Sequence, residues 1–412
     1  MPTEIVLDPE LIERRIMALA EHGAHSGTGV WRTVYSPEWV AATDLYAKWC
    51  AEAGLKVTRD AVGNIWGRLE GTGGGKAIVS GSHIDTQRPG GRYDGALGAL
   101  AGLIAIAALK EQFGPPLRPL EALALCEEEG SRFPTANFWG SRGITGTIPP
   151  GTAEAMRSYD GESMAEIMRS VGLPPERIGE AVRTDLDNFI ELHIEQGPVL
   201  EQANLPVAVV TGITGLRHYT VELTGTANHA GAFPMDMRRD PMAGFAEIVS
   251  TVIDTAHRLG RPYVTTVGRA FVEPNGAAII PGSVRFSVDA RHPDPAAFHS
   301  LCATHEKSMR AIAERRNLDV GFAATTNHEP CLSDPGLLAA LEASASGQGI
   351  PHMKMASGAA HDAQQMAKIA RVAMVFVRSK DGRSHTPEEF SSIPDIVAGI
   401  RVLAGALHAL AY

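Results

Sequence analysis

The sequence predicts an α/β protein in which a smaller domain interrupts the main one. Toward both ends of the chain, short apolar segments bounded by glycine alternate with helical segments, as strands and helices do around an α/β sheet. The middle of the chain has the element order β-α-β-β-α-β, which is the split βαβ or ferredoxin-like arrangement. A length of 412 residues is too great for one compact core and is sufficient for two domains.

Capping residues and apolar runs locate the elements up to residue 211. Asp8 before Pro9 and Ser36 before Pro37 each predict a helix start, and the apolar stretch at 97–109 predicts a third helix. Short apolar runs predict strands at 63–69, 77–81, 120–126, 189–194 and 206–210. These elements predict an α/β sheet, which the last part of the chain completes.

The sequence pattern changes near residue 212. Alternating residues predict strands at 217–226, 264–272, 283–291 and 318–325, and helices are predicted at 241–259 and 295–316. The α/β pattern then resumes, with helices predicted from residue 335, at 363–369 and from residue 395, and a strand at 372–377. The predicted main domain is therefore 1–211 together with 327–412, and the inserted domain is 212–326.

Composition and charge argue against several classes of protein. Lys and Arg number 37 and Asp and Glu 47, which gives a net charge of −10, and the basic residues are not clustered, so we expect no nucleic-acid partner. We find no apolar stretch near the ~18 residues of a membrane span, and no signal peptide in residues 1–8. Four scattered cysteines disfavour a disulfide framework or a cysteine zinc site. These features favour a cytoplasmic protein.

Histidines and carboxylates occur where predicted strands end. His83 follows an apolar strand and Asp85 comes two residues later, an arrangement that can support a metal-binding imidazole or a purely structural one. Asp94, in the segment GGRYDG, is either a ligand or the N-cap of the following helix. The strand at 189–194 places His193 on one face with two glutamates, and His385 follows the strand at 372–377. For His193 and His385, the alternative to a metal ligand is a residue of a half-exposed strand or loop.

Three adjacent carboxylates, Glu127, Glu128 and Glu129, directly follow the predicted strand at 120–126. They repel one another and are costly to desolvate without a cation, although a solvated acidic loop is the alternative. The signatures HExxH, GxSxG and Walker A are absent from the sequence. The sequence therefore favours a histidine–carboxylate centre over these other catalytic arrangements.

Six segments in this order resemble the binuclear-metal amidohydrolases of the aminoacylase and carboxypeptidase superfamily. They are GSHIDT, GGRYDG, EEEGSRF, ELHIEQGPVLE, GTANHAG and SHTPEE. The branch they resemble contains the N-carbamoyl-L-amino-acid hydrolases, allantoate amidohydrolases and bacterial β-ureidopropionases. The resemblance extends from about residue 60 to residue 390. It implies an α/β metal-binding domain interrupted by a lid domain that also forms a homodimer.

The resemblance also implies two divalent metal ions in each subunit, zinc or else manganese or cobalt. The implied ligands of the two ions are His83, Asp94, Glu129, His193 and His385. Asp94 is implied to bind both ions. Two such ions lower the pKa of a water and polarise a carbonyl. The reaction implied is hydrolysis of a linear amide or ureido bond.

The same resemblance assigns roles to further residues. Glu128 is implied as the general base and Asp85 as the residue that orients His83. His229 of the lid is implied to reach the active site of the partner subunit and to stabilise the oxyanion. Substrate contacts are implied for Gln196, His218 and Arg291, with Arg291 binding a carboxylate.

Two positions depart from the family pattern. Ala278 stands where the family segment PNAVNVIPG has its second asparagine, and Ala360 replaces a glycine of SGAGHDA. Losing one donor to a buried carboxylate costs about 1.5–3 kcal/mol if the substrate is unchanged. We therefore expect a substrate that carries its acid differently or carries a bulkier, less polar group, which makes allantoate less favoured than an N-carbamoyl or N-acyl amino acid.

The function predicted from the sequence is metal-dependent hydrolysis of an N-carbamoyl amino acid or a related ureido acid. One alternative is an N-acyl amino-acid deacylase or dipeptidase of the same superfamily, although His193 stands where the peptidase branches usually have a carboxylate. A non-catalytic metal-binding protein is the more remote alternative.

Overall fold

The computed structural model describes residues 5–412, which form two compact units. The larger unit runs through Thr211 and continues with Ser333–Met355 and His361–Tyr412, whereas the smaller unit contains Gly212–Leu332 and Ala356–Ala360. The sequence placed the inserted domain at 212–326, and the first four positions of the predicted main domain lie outside the described residues. The roles assigned to the two domains stay predictions.

The described residues contain twelve α-helices and eighteen strands, numbered here in chain order. The helices α1 to α12 are Pro9–Glu21, Pro37–Glu52, Ala96–Phe113, Trp139–Ile144, Thr152–Ala155, Met164–Ser170, Val199–Ala203, Pro241–Leu259, Pro295–Arg315, Pro335–Gly347, Asp362–Met366 and Ile393–Ala411. The strands β1 to β18 are Ala24–His25, Gly29–Val30, Lys56–Arg59, Ile65–Leu69, Ala77–His83, Leu120–Leu125, Leu186–Ile194, Val207–Ile213, Gly215–Thr224, Asn228–His229, Val264–Thr266, Ala270–Glu273, Ile279–Ile280, Ser283–His292, Asp319–His328, Cys331–Leu332, His352–Ser357 and Arg371–Val377.

A mixed sheet forms the centre of the larger unit, which confirms the predicted α/β class. Seven of its nine strands follow the order β8-β18-β7-β5-β6-β4-β3. The four strands β18, β7, β5 and β6 are mutually parallel, while β8, β4 and β3 join them in antiparallel pairs. Because the carboxyl ends of parallel strands meet at one edge of a sheet, β5, β6, β7 and β18 deliver the residues that follow them to a common place.

The predicted capping residues begin the helices as expected. The Asp8 carboxylate accepts hydrogen bonds from the N–H groups of Glu10 and Leu11, and the Ser36 hydroxyl accepts one from Trp39. The final helix, α12, begins at Ile393, two residues before the predicted start. Its N-cap, Ser392, accepts from the N–H of Asp395, so the helix start was assigned too late in the sequence.

Two helices correct the expectation that the chain lacks a segment long enough to span a membrane. By length and composition, α3 and α12 both meet that criterion, with mean hydropathies of 1.4 and 1.5. In the structure, 67% of the first 18-residue window and 50% of the second are buried. Core helices of this kind pass the same test as spanning ones, so the two helices are weak evidence for a membrane segment.

The smaller unit has an antiparallel sheet with strand order β11-β14-β9-β15, and β12 also pairs with β14. Its buried apolar residues pack the sheet against α8 and α9. The single strand predicted at 264–272 is wrong, because the chain forms β11 and β12 instead. Between these two strands, the three residues 267–269 lie opposite only the two residues 287–288 of β14. The chain therefore has one residue more than its partner strand at this point, which interrupts the pairing.

Candidate metal centre

Four parallel strands supply most of the predicted metal site. His83 is the last residue of β5, and His193 is the last but one of β7. Glu129 lies four residues beyond the end of β6, and the loop that carries His385 follows β18. Asp94 lies just before α3. The sheet topology thus explains why residues far apart in the sequence meet at one edge.

The Asp94 carboxylate lies at the centre of this group. Its Oδ1 is 3.4 Å from Nε2 of His83 and 3.2 Å from Nε2 of His193. Its Oδ2 is 3.3 Å from Nε2 of His385, which is itself 3.5 Å from Oε1 of Glu129. The structure therefore brings all five sequence-predicted ligands together.

These side chains form two overlapping groups in which the potential ligand atoms lie within 4.8 Å of one another. The first is His83, Asp94 and His193, and the second is Asp94, Glu129 and His385. Asp94 belongs to both groups and offers a different oxygen to each. Imidazole nitrogens and carboxylate oxygens suit zinc, manganese or cobalt.

The protonation preferences of the site fit a cation. Burial and the charge of Asp94 raise the pKa of Glu129 to about 7. Although burial opposes it, the hydrogen bond to Asp94 and the charge of Glu129 raise the pKa of His385 to about 9. Oε1 of Glu129 is buried and accepts no hydrogen bond from the described residues. Bound divalent ions would neutralise these carboxylates and use that oxygen, so the residues fit a metal.

Backbone carbonyls orient the two buried imidazoles. Nδ1 of His83 lies 3.1 Å from the carbonyl of Asp85, and Nδ1 of His193 lies 3.0 Å from the carbonyl of Ile194. Because a carbonyl only accepts, each Nδ1 carries the proton and each Nε2 is directed toward Asp94. Each Nε2 contacts Asp94, and Nε2 of His193 is also 3.2 Å from the N–H of Gly95, so a bound metal ion would take the place of these contacts.

Asp85 acts mainly on the glutamate loop. Its Oδ1 is 3.7 Å from Nδ1 of His83, farther than its own carbonyl, although the sequence assigned that contact to the carboxylate. The carboxylate instead accepts hydrogen bonds of 3.2 Å from the N–H groups of both Glu128 and Glu129. Asp85 thus links the end of β5 to the two glutamates.

The structure adds residues that sequence reasoning missed. Nε2 of Gln87 donates to Oε2 of Glu129 at 2.7 Å, and the ring of His361 packs on that of His193 with centroids 4.6 Å apart. Glu389 accepts hydrogen bonds from the N–H groups of Tyr93 and Asp94. Burial and the charge of Asp94 raise the pKa of Glu389 to about 7. Gln87 directly follows the segment GSHIDT, and Glu389 is the last residue of SHTPEE. Their position at these family segments was the one feature of the sequence that could have identified them.

Gln196 was predicted to contact substrate, and the structure places it against the centre. Its Nε2 donates to Oδ2 of Asp94 at 2.8 Å and to the hydroxyl of Ser384 at 3.2 Å. The Ser384 hydroxyl also donates to Oδ2 of Asp94 at 2.6 Å. Together with Nε2 of His385, three polar groups therefore surround Oδ2 of Asp94: an amide, a hydroxyl and an imidazole. The predicted substrate contact stays a prediction.

Five sequence-predicted residues lie in the smaller unit and the other eight in the larger one. The five are His218, His229, Ala278, Arg291 and Ala360.

Among these five, Arg291 already uses some of its hydrogen-bond donors within its own unit. Its Nε and Nη2 donate to the Asp289 carboxylate at 2.9 and 3.0 Å, and its Nη1 donates to the carbonyl of Gly358 at 3.0 Å. Nε2 of His218 lies 2.5 Å from the same carboxylate.

His229 is exposed, and its side chain is fixed by its own loop. Nδ1 accepts hydrogen bonds of 3.0 Å from the N–H groups of Gly231 and Ala232, so the proton resides on the outward Nε2. Ala278 is exposed and supports the same region, because its carbonyl accepts from the N–H of Ala230 at 3.0 Å. The outward N–H of His229 is a potential hydrogen-bond donor.

Comparison with known proteins places these observations in a family context. The model of a family described as Peptidase family M20/M25/M40 matches residues 79–409. The chain is 39% identical over 404 residues to an allantoate amidohydrolase of Escherichia coli, covering 98% of each chain. It is also 39% identical over 409 residues to an N-carbamoyl-L-amino acid amidohydrolase of Geobacillus stearothermophilus, covering 98% and 99%. A solved amidase of the hydantoinase/carbamoylase family from Burkholderia multivorans has a TM-score of 0.89 at 34% identity, covering 98% of both chains.

We expect Gly95→Ala to weaken metal binding. Gly95 has a φ of +61°, and a Cβ there would lie 2.3 Å from the ring atoms of His83. The substitution must therefore displace a potential ligand. Zinc titration of the metal-stripped protein should show affinity lower by about 10- to 100-fold. Gly179→Ala is the matched control, because nothing lies within 4 Å of its added Cβ. Equal zinc affinity in the two variants would contradict this account of Gly95.

Proposed function

We propose that this chain hydrolyses an N-carbamoyl amino acid or a related ureido acid. The chain belongs to peptidase family M20/M25/M40 and is an amidohydrolase of ureido or amide bonds. The observation that carries the proposal is the placement of Asp94 between two groups of histidine and carboxylate side chains. We propose that these groups hold two divalent ions, of zinc or else of manganese or cobalt.

Asp94 and the four proposed ligands around it would hold the ions, which supply Lewis acidity toward the carbonyl and lower the pKa of a water. Glu128 is proposed as the general base. Oε2 of Glu128 lies 3.9 Å from Nε2 of His83. Burial raises the pKa of Glu128 well above its usual range, which makes its carboxylate a stronger base. It would take a proton from the attacking water and pass it to the leaving nitrogen.

The two neighbouring glutamates differ in a way that supports this division. The Glu129 carboxylate is held by Gln87, and its free oxygen faces His385. Among the described residues, no group donates a hydrogen bond to the Glu128 carboxylate. A base must exchange protons freely, whereas a ligand must keep its position.

Substrate recognition is proposed for residues of the smaller unit. Asp289 and Gly358 use three of the five N–H donors of Arg291, so two remain for a substrate carboxylate. Asp289 also holds His218, which we propose as a further contact. Ala278 and Ala360 offer only methyl groups. Gln196, which belongs to the larger unit, is proposed as a further contact and supplies an amide.

We further propose that the smaller unit is a ferredoxin-like lid through which the protein dimerises. Its observed element order, with α8 and α9 packed on the sheet β11-β14-β9-β15, supports the ferredoxin-like assignment. His229 would then stabilise the oxyanion in the active site of the partner subunit. A cytoplasmic location and the lack of membrane and nucleic-acid partners stay predictions.

A substrate panel tests the proposed reaction. N-carbamoyl, N-formyl and N-acetyl amino acids and allantoate are assayed with zinc, manganese or cobalt. We expect N-carbamoyl substrates to give ammonia and the free amino acid in equal amounts, because both C–N bonds of the ureido carbon are finally broken. N-acyl substrates give the amino acid without ammonia. Turnover of only the N-acetyl compounds would instead identify a deacylase.

Glu128→Gln should lower kcat by about 10²–10⁴-fold, because the amide cannot accept the proton from water. Zinc content, measured by mass spectrometry, should stay at the wild-type value. The control is Glu111→Gln, an exposed position on α3, which should change neither quantity. Activity retained in Glu128→Gln would exclude this residue as the base.

Mixing two inactive variants tests the role of His229 across subunits. His229→Ala alone should lower kcat by about 10²–10³-fold through loss of an oxyanion donor. In a mixed dimer with Glu128→Gln, one active site would combine an intact Glu128 with an intact His229 from the partner. Random exchange of subunits should therefore restore roughly a quarter of wild-type activity. If His229 acts within its own subunit, the mixture will stay inactive.

A further inference from the structure

We propose that Glu389 is a positioning residue that sets the geometry of the second group, Asp94, Glu129 and His385. The inference rests on the proposed function, because it assumes that this group binds a metal ion. The role is separate from that of the ligands, since Glu389 would act through Asp94 and His385 and not on the ion itself.

The Glu389 carboxylate joins two segments that are far apart in the sequence. It is 3% exposed, and it accepts hydrogen bonds from the N–H groups of Tyr93 at 2.8 Å and Asp94 at 2.9 Å. Its Oε2 is 3.2 Å from the hydroxyl of Ser384, which donates to Oδ2 of Asp94 at 2.6 Å. Glu389 therefore contacts Asp94 through the backbone and, by way of Ser384, through the side chain.

These contacts control the distance between two ligands. His385 and Glu389 share one loop, in which the N–H of Glu389 donates to the carbonyl of Thr386 at 3.1 Å. Fixing this loop to the N–H groups beside Asp94 fixes Oδ2 of Asp94 relative to Nε2 of His385, at 3.3 Å. A metal ion needs both atoms at defined positions, so the carboxylate of Glu389 contributes to its binding without touching it.

The glycine segment is adapted to this contact. A Cβ at Gly91 would lie 2.4 Å from Oε1 of Glu389 and 2.5 Å from its Cβ and Cδ. A side chain at position 91 would therefore push the carboxylate away from the N–H groups that it binds. Next to this contact, the rings of Tyr93 and Phe390 meet edge to face, with centroids 6.0 Å apart. Both features hold the loop of His385 against the segment of Asp94.

The neighbouring Glu388 offers a matched control. It has the same side chain, lies in the same loop and is exposed, and its carboxylate accepts only from the hydroxyl of Thr386 among the described residues. The first group is also a useful internal reference. His83 and His193 make no hydrogen bond to Glu389 in the described residues, so its loss should affect one metal equivalent more than the other.

The test compares Glu389→Ala, Glu389→Gln and Glu388→Ala in the full-length protein. Each protein is stripped of metal by a chelator and titrated with zinc alone by calorimetry. We expect wild type, Glu388→Ala and Glu389→Gln to bind two zinc ions per subunit, because the glutamine oxygen can still accept from both N–H groups. Glu389→Ala should keep the first ion and bind the second about 10- to 100-fold more weakly.

The outcomes separate this inference from the proposed function. If the wild type binds fewer than two zinc ions, the two-metal proposal fails. If the wild type binds two and Glu389→Ala binds both with wild-type affinity, only the role of Glu389 is wrong. Should Glu389→Ala not fold, Glu389→Asp, which keeps the charge but is one methylene too short, takes its place. If neither Glu389→Ala nor Glu389→Asp folds while Glu389→Gln does, Glu389 is needed for folding and the inference is overturned.

Discussion

One buried carboxylate lies between two groups of potential metal ligands, and much of the larger unit is arranged around it. Oδ1 of Asp94 faces two imidazoles, while Oδ2 faces a third imidazole, an amide and a hydroxyl. Burial alone would favour the neutral acid, yet hydrogen bonds from the three histidines hold the pKa of Asp94 well below its usual range. Asp94 is therefore a charged group kept inside the protein by its neighbours, which is the state in which it can join two cations.

The two groups that share Asp94 differ in their support. His83 and His193 are buried at the ends of central strands, and backbone carbonyls fix their rings. His385 is half-exposed and lies on a loop in which its own φ is +57°. Residues on strands keep their positions through the sheet, whereas a loop residue depends on local contacts. The second group therefore needs additional hydrogen bonds, and the contacts of Ser384 and Gln87 meet this need.

The sequence predicted those features that depend on local pattern. Pairs such as Asp8-Pro9 located helix starts because capping acts within one turn, and apolar runs located the buried strands. The five proposed ligands were found because their segments resemble those of a family. The break between β11 and β12 was missed because it depends on pairing with a distant strand. Gln87 and Glu389 were missed for the same reason, since their partners follow from the sheet topology and not from neighbouring residues.

The run Glu127-Glu128-Glu129 shows how the fold converts a repeated residue into different chemical groups. Glu127 is fully buried, and its Oε1 accepts from the N–H groups of Arg132 and Phe133, which closes the loop. Its φ of +48° turns the chain so that the next side chains take new directions. Glu129 is fixed by Gln87, while Glu128 keeps an unbound carboxylate beside the centre. Glu127 is thus turned into the loop, whereas the carboxylates of Glu128 and Glu129 lie within 4.8 Å of each other beside His83, where a bound cation would offset their repulsion. Of these two, Glu128 is the one that we propose as the general base of hydrolysis, because Gln87 holds Glu129 in place.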